Sequence, residues 1–211
     1  MNELLIVGAG GFGREVLQFT KDINYVKTTW NIKGFLDDNA NALDNYECDY
    51  RIIGSIRNWK VGDNEKYALA IADPSIKERV VDLLVHKGAE FVSIIHPTAT
   101  IGSFNKIGKG IVMYPNSRII VNVSIGNYVT ILDNSSIGHD SIVGNYSTIC
   151  GNCSINGNVK LGNKVFFGTH VSTVPGKIVG DGAYVGAGSV IMTDIKENCR
   201  VFGVPARKLT P

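Results

Sequence analysis

The chain has 211 residues, of which 21 are Lys or Arg and 19 are Asp or Glu, for a net charge of +2. That near-balance gives no electrostatic case for nucleic acid or for an anionic membrane surface. The longest apolar run near the start, Leu4-Leu5-Ile6-Val7, stops at Gly8 and is too short for a signal peptide or a membrane span, so a cytoplasmic protein is expected.

Residues 2–8 read as a buried strand, and Arg14 opens a helix with apolar residues three to four apart. Between them, Gly8, Gly10 and Gly13 fit GxGxxG. Such a turn lets a phosphate approach backbone N–H groups at a helix N-terminus, although the same glycines can serve only as a strand-to-helix turn. A second strand around Ile32–Leu36 ends in Asp37-Asp38, where carboxylates reach a ribose or a base. Short strands follow at Tyr50–Gly54 and Tyr67–Ala72. A helix from Ser75 to about His86 carries the stripe Val80, Val81, Leu84, Val85, with Gly88 at its C-terminal cap. A last strand spans Glu90–Ile95. The order is that of a small parallel α/β domain with room for one mononucleotide half, which favours a nucleotide or nucleotide-sugar over NAD.

From Ile95 a six-residue period takes over. Stepping by six to Ile191 visits seventeen positions, of which sixteen are apolar and one is Thr173. Glycine often follows the apolar residue, and small or β-branched residues precede it by two. This is the signature of a parallel β-helix, in which three hexapeptides close one triangular coil. Roughly five coils at about 4.8 Å each make a prism about 25 Å tall. Ile111, Tyr114, Ile120 and Tyr128 are expected on its outer faces, which argues for self-association, and threefold packing suits a triangular prism. The expected domains are 1–93, 94–197, and a C-terminal segment 198–211 covering the last coil.

Cys150 and Cys153 form a CxxC, but Cys153 falls in a small-residue slot and no second CxxC completes a zinc site. Of four histidines, His86 is expected on a helix surface and His96 in a structural place. His96, His139 and His170 lie on different edges and coils, so no metal site is expected from them. His139 projects from an edge with Asp140 beside it, which can hold one ring nitrogen and make the other a better base. Gly157 lies one coil above His139, where its N–H can meet a carbonyl oxygen that gains charge. A base and an oxyanion donor on adjacent rungs suit acyl transfer; the alternative is an ordinary exposed turn histidine.

The chain as a whole resembles the PglD/NeuD-type hexapeptide-repeat sugar acyltransferases. The resemblance rests on Gly8–Gly13, Phe35–Asp38, Ile95-His96-Pro97, Ile137–Asp140, Gly157–Gly162 and Gly203–Arg207. It implies a left-handed parallel β-helix with an N-terminal Rossmann-like α/β domain, and a homotrimer using acetyl-CoA. It implies His139 as general base, Asp140 as its acidic partner and Gly157 as donor to the thioester carbonyl. Thr148, Thr169 and Ala187 are implied near the donor, and Gly10, Gly11, Phe12, Asp37, Asp38 and Ala72 at the nucleotide-sugar site. Phe12 and Thr148 stand where bacillosamine-type members carry histidine. The expected activity is acetylation of an amino group on a nucleotide-linked deoxysugar in bacterial glycan synthesis. The alternatives are a hydroxyl acceptor such as sialic acid, or a non-catalytic nucleotide-sugar-binding trimer.

Overall fold

The computed structural model describes residues 2–209. One compact unit ends at Pro97 and a second begins at Thr98.

The first unit contains β1 (Asn2–Val7), α1 (Gly11–Val26), β2 (Trp30–Leu36), β3 (Ile52–Gly54), β4 (Glu65–Leu69), α2 (Pro74–His86) and β5 (Glu90–Phe91). The five strands form one parallel sheet in the order β3-β2-β1-β4-β5. Leu4, Leu5, Ile6 and Val7 of β1 are fully buried, as a central parallel strand requires. α1 begins at Gly11 rather than Arg14, because the glycine turn is itself the first helical turn. Gly13 is buried there, and a β-carbon on it would stand 2.1 Å from the Gly8 carbonyl oxygen. Asp73 caps α2 by accepting the Ile76 N–H at 2.8 Å. The buried face of α2 is Pro74, Lys77, Val81 and Leu84, while Val80 is half-buried and Val85 exposed. Val81 and Leu84 of the expected stripe are therefore buried, but Val80 and Val85 are not, and a lysine occupies a place that polarity alone assigns to the surface. The expected 90–95 strand is also split: after Phe91, the Val92 N–H bonds Tyr67 O and the chain leaves this sheet.

The second unit is a parallel β-helix of two-residue rungs. One face carries Thr100–Ile101, Arg118–Ile119, Ser136–Ile137, Ser154–Ile155, Ser172–Thr173 and Val190–Ile191. The next carries Lys106–Ile107, Ser124–Ile125, Ile142–Val143, Lys160–Leu161 and Ile178–Val179. The third carries Val112–Met113, Thr130–Ile131, Thr148–Ile149, Phe166–Phe167 and Tyr184–Val185. Each rung pairs with its counterpart one coil on, as Ile119 with Ile137 and Ile137 with Ile155. The period residue is buried from Met113 onward, whereas Ile101 is exposed and Ile107 half-buried. The C-terminal segment adds strand: Arg200–Phe202 pairs in parallel with Tyr184–Val185, and Arg207–Lys208 returns antiparallel.

Interior polar groups are stapled from coil to coil. Ser135 Oγ donates to Cys150 O at 2.8 Å and accepts the Cys153 N–H at 3.0 Å. Ser141 and Ser147 repeat this with Asn156 and Val159, and with Gly162 and Val165. Cys153 takes the same slot, its Sγ lying 3.1 Å from Gly168 O. Burial pushes its thiol up to about 12, so it is an unreactive member of the serine row. On one edge, Asn127, Asn145, Asn163 and Asp181 form a ladder. Each side-chain oxygen accepts the amide one coil below, at 2.8–3.0 Å.

Three of the four residues expected on the outer faces are buried. Ile111 stands two before Met113 and so fills an inward slot, Tyr114 is enclosed, and Tyr128 stacks on Tyr146 with centroids 5.2 Å apart. Ile120 is exposed as expected.

Replacing Asn145 by alanine strips the Asn127 N–H of its acceptor and leaves the rung amides exposed to competition. A loss of about 1–3 kcal/mol is expected, read from the urea unfolding midpoint against the parent chain.

Candidate active site

His139 occupies the turn between the rungs Ser136–Ile137 and Ile142–Val143. Its backbone is held from both sides: Asn158 N–H donates to His139 O at 2.8 Å, and Asp140 N–H donates to Val121 O at 3.1 Å. Asp140 has φ +59°, the left-handed conformation that Asp tolerates. This brings its Oδ2 to 2.7 Å from His139 Nδ1. With Nδ1–H donating to the carboxylate, Nε2 carries the lone pair. The two side chains are 56% and 47% exposed, so the pair is open to a ligand.

Gly157 lies over the imidazole. A β-carbon there would stand 2.5 Å from His139 Nε2, so only glycine leaves the ring its place. No acceptor bonds the Gly157 N–H among the described residues. Just before it the ladder is rerouted. At the other rungs from Thr100–Ile101 to Tyr184–Val185 the following residue donates its N–H to a carbonyl one coil on, as Gly138 does to Ile155. Asn156 instead donates its N–H to Thr173 Oγ1 at 3.0 Å, and its side-chain amide reaches the Thr173 carbonyl. Thr173, the one polar residue in the period, is thus buried and satisfied beside this turn.

Thr169 and Ala187 are exposed on a different edge, between the rungs ending at Phe167 and beginning at Ser172. They stack as expected: the Gly188 N–H bonds Thr169 O at 2.8 Å. Within one chain they do not meet His139. Thr148 is fully buried on the third face, half a coil from His139, so its side chain offers no open surface for a cofactor.

In the first unit, Gly10, Gly11, Phe12, Asp37, Asp38 and Ala72 all lie beyond the carboxyl ends of β1, β2 and β4, where parallel sheets bind ligands. Gly10, Gly11, Asp38 and Ala72 are exposed, and Phe12 and Asp37 half-buried. Asp37 works on its own chain: Oδ2 accepts the Ala9 N–H at 2.7 Å and Oδ1 the Asn39 N–H at 2.8 Å, tying β2 to the glycine turn. Asp38 Oδ1 accepts from Ser55 Oγ at 2.7 Å and Arg57 N–H at 3.1 Å, and Arg57 Nε stands 3.2 Å from Oδ2. Burial would raise its pKa, but these hydrogen bonds and the Arg57 charge outweigh it and hold the carboxyl below its usual range. A cavity of about 270 Å³ opens beside it, lined by Ile56, Arg57, Ile76, Arg79, Val80 and Leu83. The arginines were not legible as site residues in the sequence. Nor was Arg14, whose guanidinium lies 3.6 Å over the Tyr46 ring and close to Gly11, although its place directly after the glycine motif was a signal.

His86 is exposed, and His96 lies 3.2 Å from Asp22 and edge-on to Phe19. Among the described residues no three His, Cys, Asp or Glu side chains converge as metal ligands, and no helix is long and apolar enough to cross a membrane.

Residues 3–84 match the family model described as the PglD N-terminal domain. The acetyltransferase domain of PglB from Neisseria gonorrhoeae FA1090, solved in complex with acetyl coenzyme A, superposes with TM-score 0.90 at 25% identity, over 99% of this chain and 99% of that one. PerB from Caulobacter crescentus, solved with CoA and GDP-perosamine, gives TM-score 0.89 at 21% identity, over 100% and 98%. A galactoside O-acetyltransferase of Escherichia coli K12 is 43% identical over 49 residues, 23% of this chain and 24% of the relative. The chain thus matches about a quarter of the length of that curated relative. The sequence and fold likenesses agree: a PglD-type N-terminal domain precedes a left-handed parallel β-helix, the architecture of the PglD-type sugar acyltransferases.

A Gly157→Ala chain keeps the coil-to-coil bonds of Asn158 but displaces the imidazole. The His139 ring resonances are expected to shift while the unfolding midpoint moves by less than about 1.5 kcal/mol, checked by NMR and urea titration.

Proposed function

We propose that this protein is an acetyl-CoA-dependent N-acetyltransferase acting on the amino group of a nucleotide-linked amino-deoxysugar in bacterial glycan synthesis. The observation that carries the reading is the His139–Asp140 pair at 2.7 Å with Gly157 over the ring. The amine nitrogen attacks the thioester carbonyl carbon, and a C–N bond forms as the carbonyl oxygen gains charge. The Gly157 N–H is the donor for that oxygen. His139 Nε2 takes the proton from the attacking nitrogen, and Asp140 stabilises the imidazolium. As the C–S bond breaks, the proton passes to the departing thiolate, leaving an amide and free CoA. A neutral amine is already nucleophilic, so much of the rate comes from holding amine and thioester together.

The acceptor's nucleotide is assigned to the first unit. The glycine turn with Arg14 beside it suits a diphosphate, and the cavity between Asp38 and Arg79 suits a base. Thr169 and Ala187 line the donor track. Because they occupy another edge from His139, a working site needs the histidine edge of one copy against the Thr169 edge of the next. A cytoplasmic homotrimer meets that need.

The second reading, a hydroxyl acceptor, is favoured by the name of the curated galactoside O-acetyltransferase. A hydroxyl depends more on a base than an amine does.

His139→Ala is expected to lower kcat by about 10²–10⁴-fold with acetyl-CoA KM little changed, and Asp140→Asn by a smaller factor. Steady-state assays against a panel of nucleotide aminosugars, with sialic acid as the hydroxyl arm, check this. A loss below about tenfold for His139→Ala removes the base from the mechanism.

A further inference from the structure

The edge that carries His139 has a second unusual residue. Below the left-handed Asp140 on this edge come Asn122 and then Phe104, each one coil apart, with φ of +59°, +56° and +62°. The other described non-glycine residues with positive φ are Asn, Asp, Tyr, His or Lys; Phe104 alone is wholly apolar. The left-handed conformation is a genuine outlier for a bulky side chain, and Asn adopts it far more readily. The phenyl ring gains no shelter in return, being 86% exposed.

The turn beneath it is built firmly. Asn105 Oδ1 accepts the Val123 N–H at 2.7 Å, and its amide donates to Gly102 O and Ile120 O at 2.9 Å each. The Asn122 N–H bonds Ser103 O at 3.2 Å. The ring is therefore displayed from a fixed turn. Val121, one coil before His139, and its neighbour Ile120 are also apolar and exposed, beside Asn122 on this edge. Phe104 stands two coils below Asp140, about 10 Å along the prism.

Its occupant follows from direction. In the reading above the donor lies along Thr169 and Ala187, in later coils than His139, which leaves the earlier coils, where Phe104 stands, to the acceptor. A deoxysugar presents a methyl group and a face of C–H bonds, which pack on an aromatic ring and shed water there. We propose that Phe104, with Val121 and Ile120, is the platform on which the acceptor sugar rests beneath His139, making Phe104 a specificity-determining residue. This inference rests on the acetyltransferase reading above.

Phe104→Asn separates the function from the fold, because asparagine relieves the backbone while it removes the ring. The thermal midpoint is expected to hold or rise, and the acceptor KM to rise at least about tenfold, with acetyl-CoA KM within about twofold. Phe104→Trp is expected to keep the acceptor KM within about threefold. A Phe104→Asn chain with parental acceptor KM overturns the proposal. So does a change in its molar mass in solution, which would assign the ring to contact between copies. If the parent chain itself acetylates no nucleotide aminosugar, the reading beneath the proposal fails, and that result is distinct from either of these.

Discussion

Everything in the second unit depends on one hydrogen-bond rule: each rung binds its counterpart one full coil on. A two-residue strand has no stability alone, and only repetition makes it a sheet. The rule also decides what the corners hold. Serines staple the interior, asparagines carry one edge, and left-handed residues turn the chain at all three corners. His139 is fixed by the same means, with Val121 O below it and the Asn158 N–H above. The proposed base stands on lattice positions of the coil and needs no special loop to hold it.

The first unit solves its problem differently. There the proposed binding end is made by strand termini, and its polar groups divide between those bonded to the chain and those left open. Asp37 spends both oxygens on backbone amides, while Asp38 keeps a carboxylate exposed, held charged by Ser55 and Arg57. Gly10 and Gly11 are also open, with Arg14 stacked on Tyr46 nearby. A polar residue at the right strand end can therefore be scaffold, while its neighbour stays exposed.

The repeat was legible because a period of six is a statement about every coil at once. The edge of His139, the stacking of Gly157 and of Ala187 over Thr169, and the slot of Cys153 all followed from counting. What counting missed were departures from the average. Thr173 broke the apolar period, and the break marks where the ladder is rerouted beside Gly157. Tyr114 and Tyr128 looked like surface residues because corners are exposed on average, yet both are enclosed. Thr148 matched by position, but its side chain is buried, a property that position along the chain does not report. In α2 the centre of the stripe, Val81 and Leu84, was legible, but its flank is a buried Lys77 that polarity hides.

The asparagine edge, the serine row and the rung pairing share one consequence. Height along the prism comes in whole rungs, and azimuth in thirds of a turn. His139 and Thr169 are separated by one complete coil and two further faces. No smooth adjustment of that offset is open to the sequence. Inserting or deleting one coil keeps every residue on its own edge and moves the two sites by one step of about 4.8 Å. Any shorter insertion rotates one edge away from the other. The spacing between them is a digital quantity, and a family built on this coil can change its reach only by counting.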